Sequence, residues 1–97
     1  MTITLKGNWP CRSIELNGQP LSPARSQRVY NHSPDGFNWS YGGSGPAQLA
    51  LAILLEVTDK DTALRNYQQF KWDVISNLPA GNFETTIDMS KYIVKEI

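Results

Sequence analysis

Few residues in this chain could do chemistry. Cys11 is its one thiol and His32 its one imidazole. A structural zinc site takes about four ligands, and these two would need carboxylates at no recognisable spacing. No metal and no cofactor is therefore implied. A cysteine–histidine nucleophile pair is conceivable, but no neighbouring residue supports it. His32 reads instead as a side chain bonded to loop backbone beside a turn. Cys11, following Pro10, reads as a small buried hydrophobe. No acid–base pair with supporting residues stands out, so the expectation is a non-enzymatic protein with no catalytic residue.

The stretch Gly42-Gly43-Ser44-Gly45-Pro46 is more informative. It joins an aromatic segment to an almost wholly apolar one. Glycines let backbone approach a ligand, and a helix start offers free N–H groups with partial positive charge. Gly43, Ser44 and Gly45, with Lys71 as a nearby cation, are thus the candidate ligand site, suited to a small phosphate- or carboxylate-bearing ligand. No Gly-Lys-Ser/Thr follows, and Pro46 and Gln48 stand where a dinucleotide fingerprint needs its third glycine. A sharp corner explains the same residues, with at least one of Gly42, Gly43 and Gly45 at positive φ.

Two residues depart from the pattern of the second helix. Lys71 falls inside its apolar arc, where the stem would cover apolar surface while the ammonium reaches water; the sharper reading holds that ammonium near Ser44. Trp72 lies about 130° from the centre of the arc by helical geometry. An exposed tryptophan is costly and interface anchors are often aromatic, so Trp72 is the candidate interaction surface. The alternative is that the last strand or the start of the chain folds over it.

These residues need elements to position them. Residues 2–6 alternate as a first strand, and Arg12 to Leu16 as a second. Asn17-Gly18 predicts a type I′ turn into a short edge arm, Gln19 to Leu21, limited by Pro20. Residues 22–26 read as loop. Gln27 to Asn31 and Phe37 to Tyr41 read as two strands of a hairpin around Ser33-Pro34-Asp35-Gly36, with Gly36 at positive φ. Ser44 is the expected N-cap of a helix from about Gly45 to Val57, buried because it is apolar all round. A second helix runs from Thr58 or Asp59 to about Asn77 and is stopped by Pro79 and Gly81. Phe83 to Met89 alternates as a last strand, while residues 90–97 suit either its extension or a helical turn. Strands, a helical pair and a further strand imply an α+β fold: a small antiparallel sheet packed on a two-helix hairpin, in a single domain over residues 1–97.

Nine basic and nine acidic residues cancel, which disfavours nucleic acid, whose phosphates need several cations. No apolar leader opens the sequence and no apolar run is long enough to span a bilayer. With a lone cysteine, the expectation is a cytoplasmic protein without a membrane partner.

Residues 28–56, "RVYNHSPDGFNWSYGGSGPAQLALAILLE", resemble an uncharacterised prokaryotic small-protein family, a domain of unknown function with members in bacteria, plasmids and phages. The shared pattern is the Asn31–Gly36 turn, an aromatic segment ending in tyrosine and glycines, and Ser44-Gly45-Pro46 leading into a Leu/Ala helix. "YQQFKWDVISNLP" resembles the family's second helix. Ser40 departs from the pattern, standing where glycine is usual. The resemblance implies a phage or mobile-element setting and assigns no activity. The expected function is an interaction or regulatory domain acting through an unknown protein partner or self-association, with an anionic-ligand binder as the alternative.

Overall fold

The computed structural model describes residues 1–94; residues 95–97, part of the segment left open above, lie outside the described residues. Three strands come first, Thr2–Asn8 (β1), Ser13–Leu16 (β2) and Gln19–Leu21 (β3), and Phe83–Asp88 (β4) comes last. They form one antiparallel sheet in the order β3-β2-β1-β4. Between β3 and β4 lie the helices Ala24–Val29 (α1), Ser44–Val57 (α2) and Lys60–Asp73 (α3), then a 3₁₀ turn, Ile75–Asn77. The α+β class is as expected, with the C-terminal strand present.

Alternation explains which face of the sheet is covered. Ile3, Leu5, Ile14, Leu16, Phe83 and Ile87 are buried, whereas Thr2, Thr4, Lys6, Glu84, Thr86 and Asp88 face solvent. Asn17 and Gly18 both have positive φ, 51° and 82°, as a type I′ turn requires. α2 is the centre of the core, and every residue from Gly45 to Leu55 is buried. α3 is capped by Asp59, whose Oδ1 accepts from the Thr62 N–H at 2.7 Å. It stops at Asp73 rather than running on to Asn77, because Val74 leaves helical geometry at φ −121°, ψ −59°. Past β4, the Tyr92 N–H donates to the Met89 carbonyl at 2.9 Å, closing a turn rather than extending the strand.

The expected hairpin of residues 27–31 with 37–41 is not formed. Residues 24–29 are helical, and residues 37–41 pair with no strand. The Ser22 hydroxyl accepts from the Ala24 N–H at 3.1 Å and the Ser26 hydroxyl donates to the Pro23 carbonyl at 2.8 Å. These bonds start a helix in Ser-Pro-Ala-Arg, a helix-opening sequence overshadowed by the β-prone Val29-Tyr30 that follows. The turn itself is present: the Gly36 N–H donates to the Ser33 carbonyl at 3.2 Å, with Gly36 at φ 104°. It connects α1 to an extended segment that buries Phe37 and Trp39.

Candidate functional site

Gln48, in the first half of α2, is fully buried and uses its whole amide. Its Oε1 accepts from the backbone N–H of His32 at 2.8 Å and of Ser33 at 2.9 Å. Its Nε2 donates to the Ser26 hydroxyl at 2.9 Å and the Tyr30 carbonyl at 3.1 Å. A glutamine in an otherwise apolar helix thus anchors α1 and the following turn to the core, satisfying groups that would be costly to bury unpaired. The His32 side chain is not bonded to loop backbone as expected. Its Nε2 pairs with the Tyr67 hydroxyl at 2.8 Å and its ring stacks on Tyr30, centroids 4.2 Å apart. Burial, and after it the charge of Lys71, holds the His32 imidazole below its ordinary pKa.

The corner at residues 40–45 differs from the expectation in mechanism. None of Gly42, Gly43 and Gly45 has positive φ; the left-handed residue is Ser40, at φ 74°. Ser44 is not the N-cap but the first helical residue, and Gly43 caps at φ −94°, ψ −160°. The glycines are needed for close approach instead. A Cβ at Gly42 would collide with the six-membered ring of Trp72, and one at Gly43 with the ring of Tyr41. At Gly45 it would lie 2.6 Å from Cβ and 3.1 Å from the backbone N of Asn38. Gly45 is buried, and the Ala47 N–H is committed to the Gly43 carbonyl at 3.1 Å.

Trp72 is 56% exposed, as its angle on the helix predicts, even though its ring is seated on Gly42. Lys71 is buried along its stem with its Nζ 4.3 Å from the indole centroid, and it makes no ion pair among the described residues. Tyr41 and Trp9 are each 48% exposed and line one cleft of about 280 Å³ with Asn38, Trp39, Ser40, Ala80 and Gly81. Trp9 meets Trp39 edge-on at 6.0 Å, and the Trp39 Nε1–H donates to the Gly81 carbonyl at 2.9 Å. The half-exposed rings at the glycine corner are Trp72, seated on Gly42, and Tyr41, against Gly43, and Trp9 joins this rim through the cleft it shares with Tyr41. Trp72 was legible from helical phase. Tyr41 was not, because alternation along a strand at residues 37–41 would put it on one buried face with Phe37 and Trp39, and nothing in the sequence marks Trp9.

Arg25 and Arg28 lie away from the corner and line a different cleft of about 390 Å³ with Leu16, Pro20, Leu21 and Glu56. Arg25 donates to the Leu55 carbonyl at 3.1 Å and lies 3.7 Å from Glu56, at the opposite end of α2 from Ser44. Cys11 is exposed rather than buried, its sulfur 3.4 Å from the Ser13 hydroxyl. Hydrogen bonding by Ser13 holds its thiol pKa below the ordinary value. Among the described residues, no group of three or more His, Cys, Asp or Glu residues is placed to hold a metal ion, and no helix is long and apolar enough to cross a membrane.

No curated protein and no solved structure matches the chain. A family model matches residues 6–95, a span that takes in the Asn31–Gly36 turn, the glycine corner and both long helices. The chain belongs to that family, a family of unknown function (DUF6166).

Proposed function

We propose that this chain is a protein-interaction module whose contact surface is the aromatic rim centred on Trp72. The observation that carries the reading is the seating of Trp72: more than half exposed, yet held against Gly42 with the Lys71 ammonium at its face. A large ring fixed before binding loses little freedom on association, and such rings dominate binding energy. Tyr41 and Trp9 extend the patch beyond the isolated apolar side chains that any surface carries.

The alternative, an anionic ligand held at Gly43, Ser44 and Gly45 with Lys71, has less support. Pro46 has no N–H, the Ala47 N–H is used within the helix, and Gly45 abuts Asn38. The Lys71 ammonium faces an indole.

A photo-crosslinking phenylalanine placed at position 72, and separately at the exposed Thr4 on the outer face of the sheet as control, tests the proposal in the cells that encode the protein. The expected result is one dominant protein adduct from position 72 and none from position 4. Equal labelling from both positions, or no protein adduct from position 72, would overturn it.

A further inference from the structure

The two edges of the sheet are built differently. N–H and C=O groups alternate sides along a strand. The Asn17 N–H donates to the Thr4 carbonyl at 2.8 Å, so Thr4, Lys6 and Asn8 of β1 point toward β2. Ile3, Leu5 and Gly7 then point toward β4, where the register sets them against Ile87, Thr85 and Phe83. The bond from the Met89 N–H to the Met1 carbonyl, 2.8 Å, continues that series. The backbone groups of Glu84, Thr86 and Asp88 must therefore point away from the sheet, and none has a hydrogen-bond partner among the described residues. At the opposite edge, the two-residue turn makes Leu16–Gln19 and Ile14–Leu21 the bonded pairs of β2 and β3. The outward residue there is Pro20, which has no N–H to offer. One edge is closed to pairing and the other presents three donors and three acceptors.

Charge on the outer face says what would fit. The register places Glu15, Lys6 and Glu84 in one row across β2, β1 and β4. Their signs alternate, and the next place in that row belongs to an incoming strand. Four residues on, Asp88 carries a second carboxylate, held by the Ser90 hydroxyl at 2.7 Å and the Ser90 N–H at 2.9 Å. A second copy of this chain is a poor occupant. The antiparallel register that uses all three outward residues centres on Thr86 and sets Glu84 against Asp88 of the copy, twice, and like charges directly opposite destabilise a pair.

We propose that the outer edge of β4 receives an extended segment of another protein as a fifth strand, with Lys or Arg at two positions four apart, opposite Glu84 and Asp88. Strand addition draws its affinity from main-chain bonds and its specificity from alternate side chains. The proposal does not rest on the Trp72 reading.

The test uses the full chain, isotope-labelled, and a blocked synthetic peptide, Thr-Lys-Val-Thr-Val-Lys-Thr, with a control peptide in which both lysines are glutamate. The lysine peptide should slow amide exchange at Glu84, Thr86 and Asp88 saturably; the glutamate peptide should not. Thr86→Pro removes an outward N–H that the ladder does not use, so the spectrum of β1 should persist while peptide affinity falls about tenfold. Glu84→Lys, at an exposed position, leaves one like and one opposite pair with either peptide and should abolish the preference between them. The proposal is overturned if both peptides act alike, if neither slows exchange, or if Glu84→Lys leaves the preference unchanged. Slowing that grows with protein concentration alone would assign the edge to a second copy instead.

Discussion

The ring of Trp72 occupies the space that a side chain at Gly42 would need. The ring is seated on Gly42 but half in solvent, so a methyl group there displaces it outward without opening the core. Gly42→Ala should change folding stability by less than about 1 kcal/mol but displace the Trp72 indole N–H resonance. Gly45→Ala meets Asn38 Cβ and backbone, which cannot swing. Overpacking of about 1–3 kcal/mol there should outweigh the gain of about 1 kcal/mol in helix propensity. Denaturation midpoints of the two variants separate the contacts.

Gln48→Leu should be far more damaging than its conservative volume suggests. It strips the acceptor from the Ser33 N–H and leaves the His32 N–H only its bond to the Tyr30 carbonyl at 3.2 Å, and an unmet buried donor costs about 1–3 kcal/mol. A loss of about 1–3 kcal/mol in a urea titration is expected, with amide exchange at Ser33 accelerating before that of α2.

Ser40→Gly should raise stability. Ser40 sits at φ 74°, a conformation costing a side-chain-bearing residue about 1–2 kcal/mol, of which glycine's greater unfolded freedom offsets about 0.5–1. The Ser40 N–H bond to the Ile75 carbonyl, 3.0 Å, should survive. A net gain of up to about 1 kcal/mol in thermal unfolding is expected.

Docking of the turn after β4 should be pH-dependent at both ends. Asp73 accepts from the Tyr92 hydroxyl at 2.7 Å, Lys91 Nζ at 3.0 Å and Gln69 Nε2 at 2.7 Å. These bonds, Tyr92 first, lower its pKa from 3.8 to about 2. Burial, then the bond to Asp73, raises that of Tyr92 from 10.0 to about 12. A depressed carboxyl stabilises above its unfolded pKa, so its contribution is lost as pH falls from about 4 to about 2. A raised phenol stabilises below its unfolded pKa, so its contribution is lost as pH rises from about 10 to about 12. Asp73→Asn should flatten the acid limb, read from the Tyr92 ring shifts.

The sheet, α2, α3 and the exposure of Trp72 were legible because period-2 and period-3.6 patterns survive in packing. α1 was hidden because its six residues are too few to show a helical period, so local bonds of the Ser22 and Ser26 hydroxyls around Pro23 decide it. The glycine corner was located correctly, but its cause was not. Close approach by Trp72, Tyr41 and Asn38 is a tertiary fact, and the positive φ fell on Ser40, the position where the family resemblance had marked a missing glycine. Of the contact rim, Tyr41 required the fold, since its exposure depends on residues 37–41 forming no strand, and Trp9 required it because only the fold brings it into the same cleft.

The most direct measurement is the affinity of the partner crosslinked at position 72 for the wild-type chain and for Trp72→Ala. Trp72 is exposed and outside the main core, so the variant should keep the wild-type unfolding transition while binding weakens by about 2 kcal/mol or more, roughly thirtyfold. A Trp72→Ala protein that stays folded and binds that partner as tightly as the wild type would contradict the account.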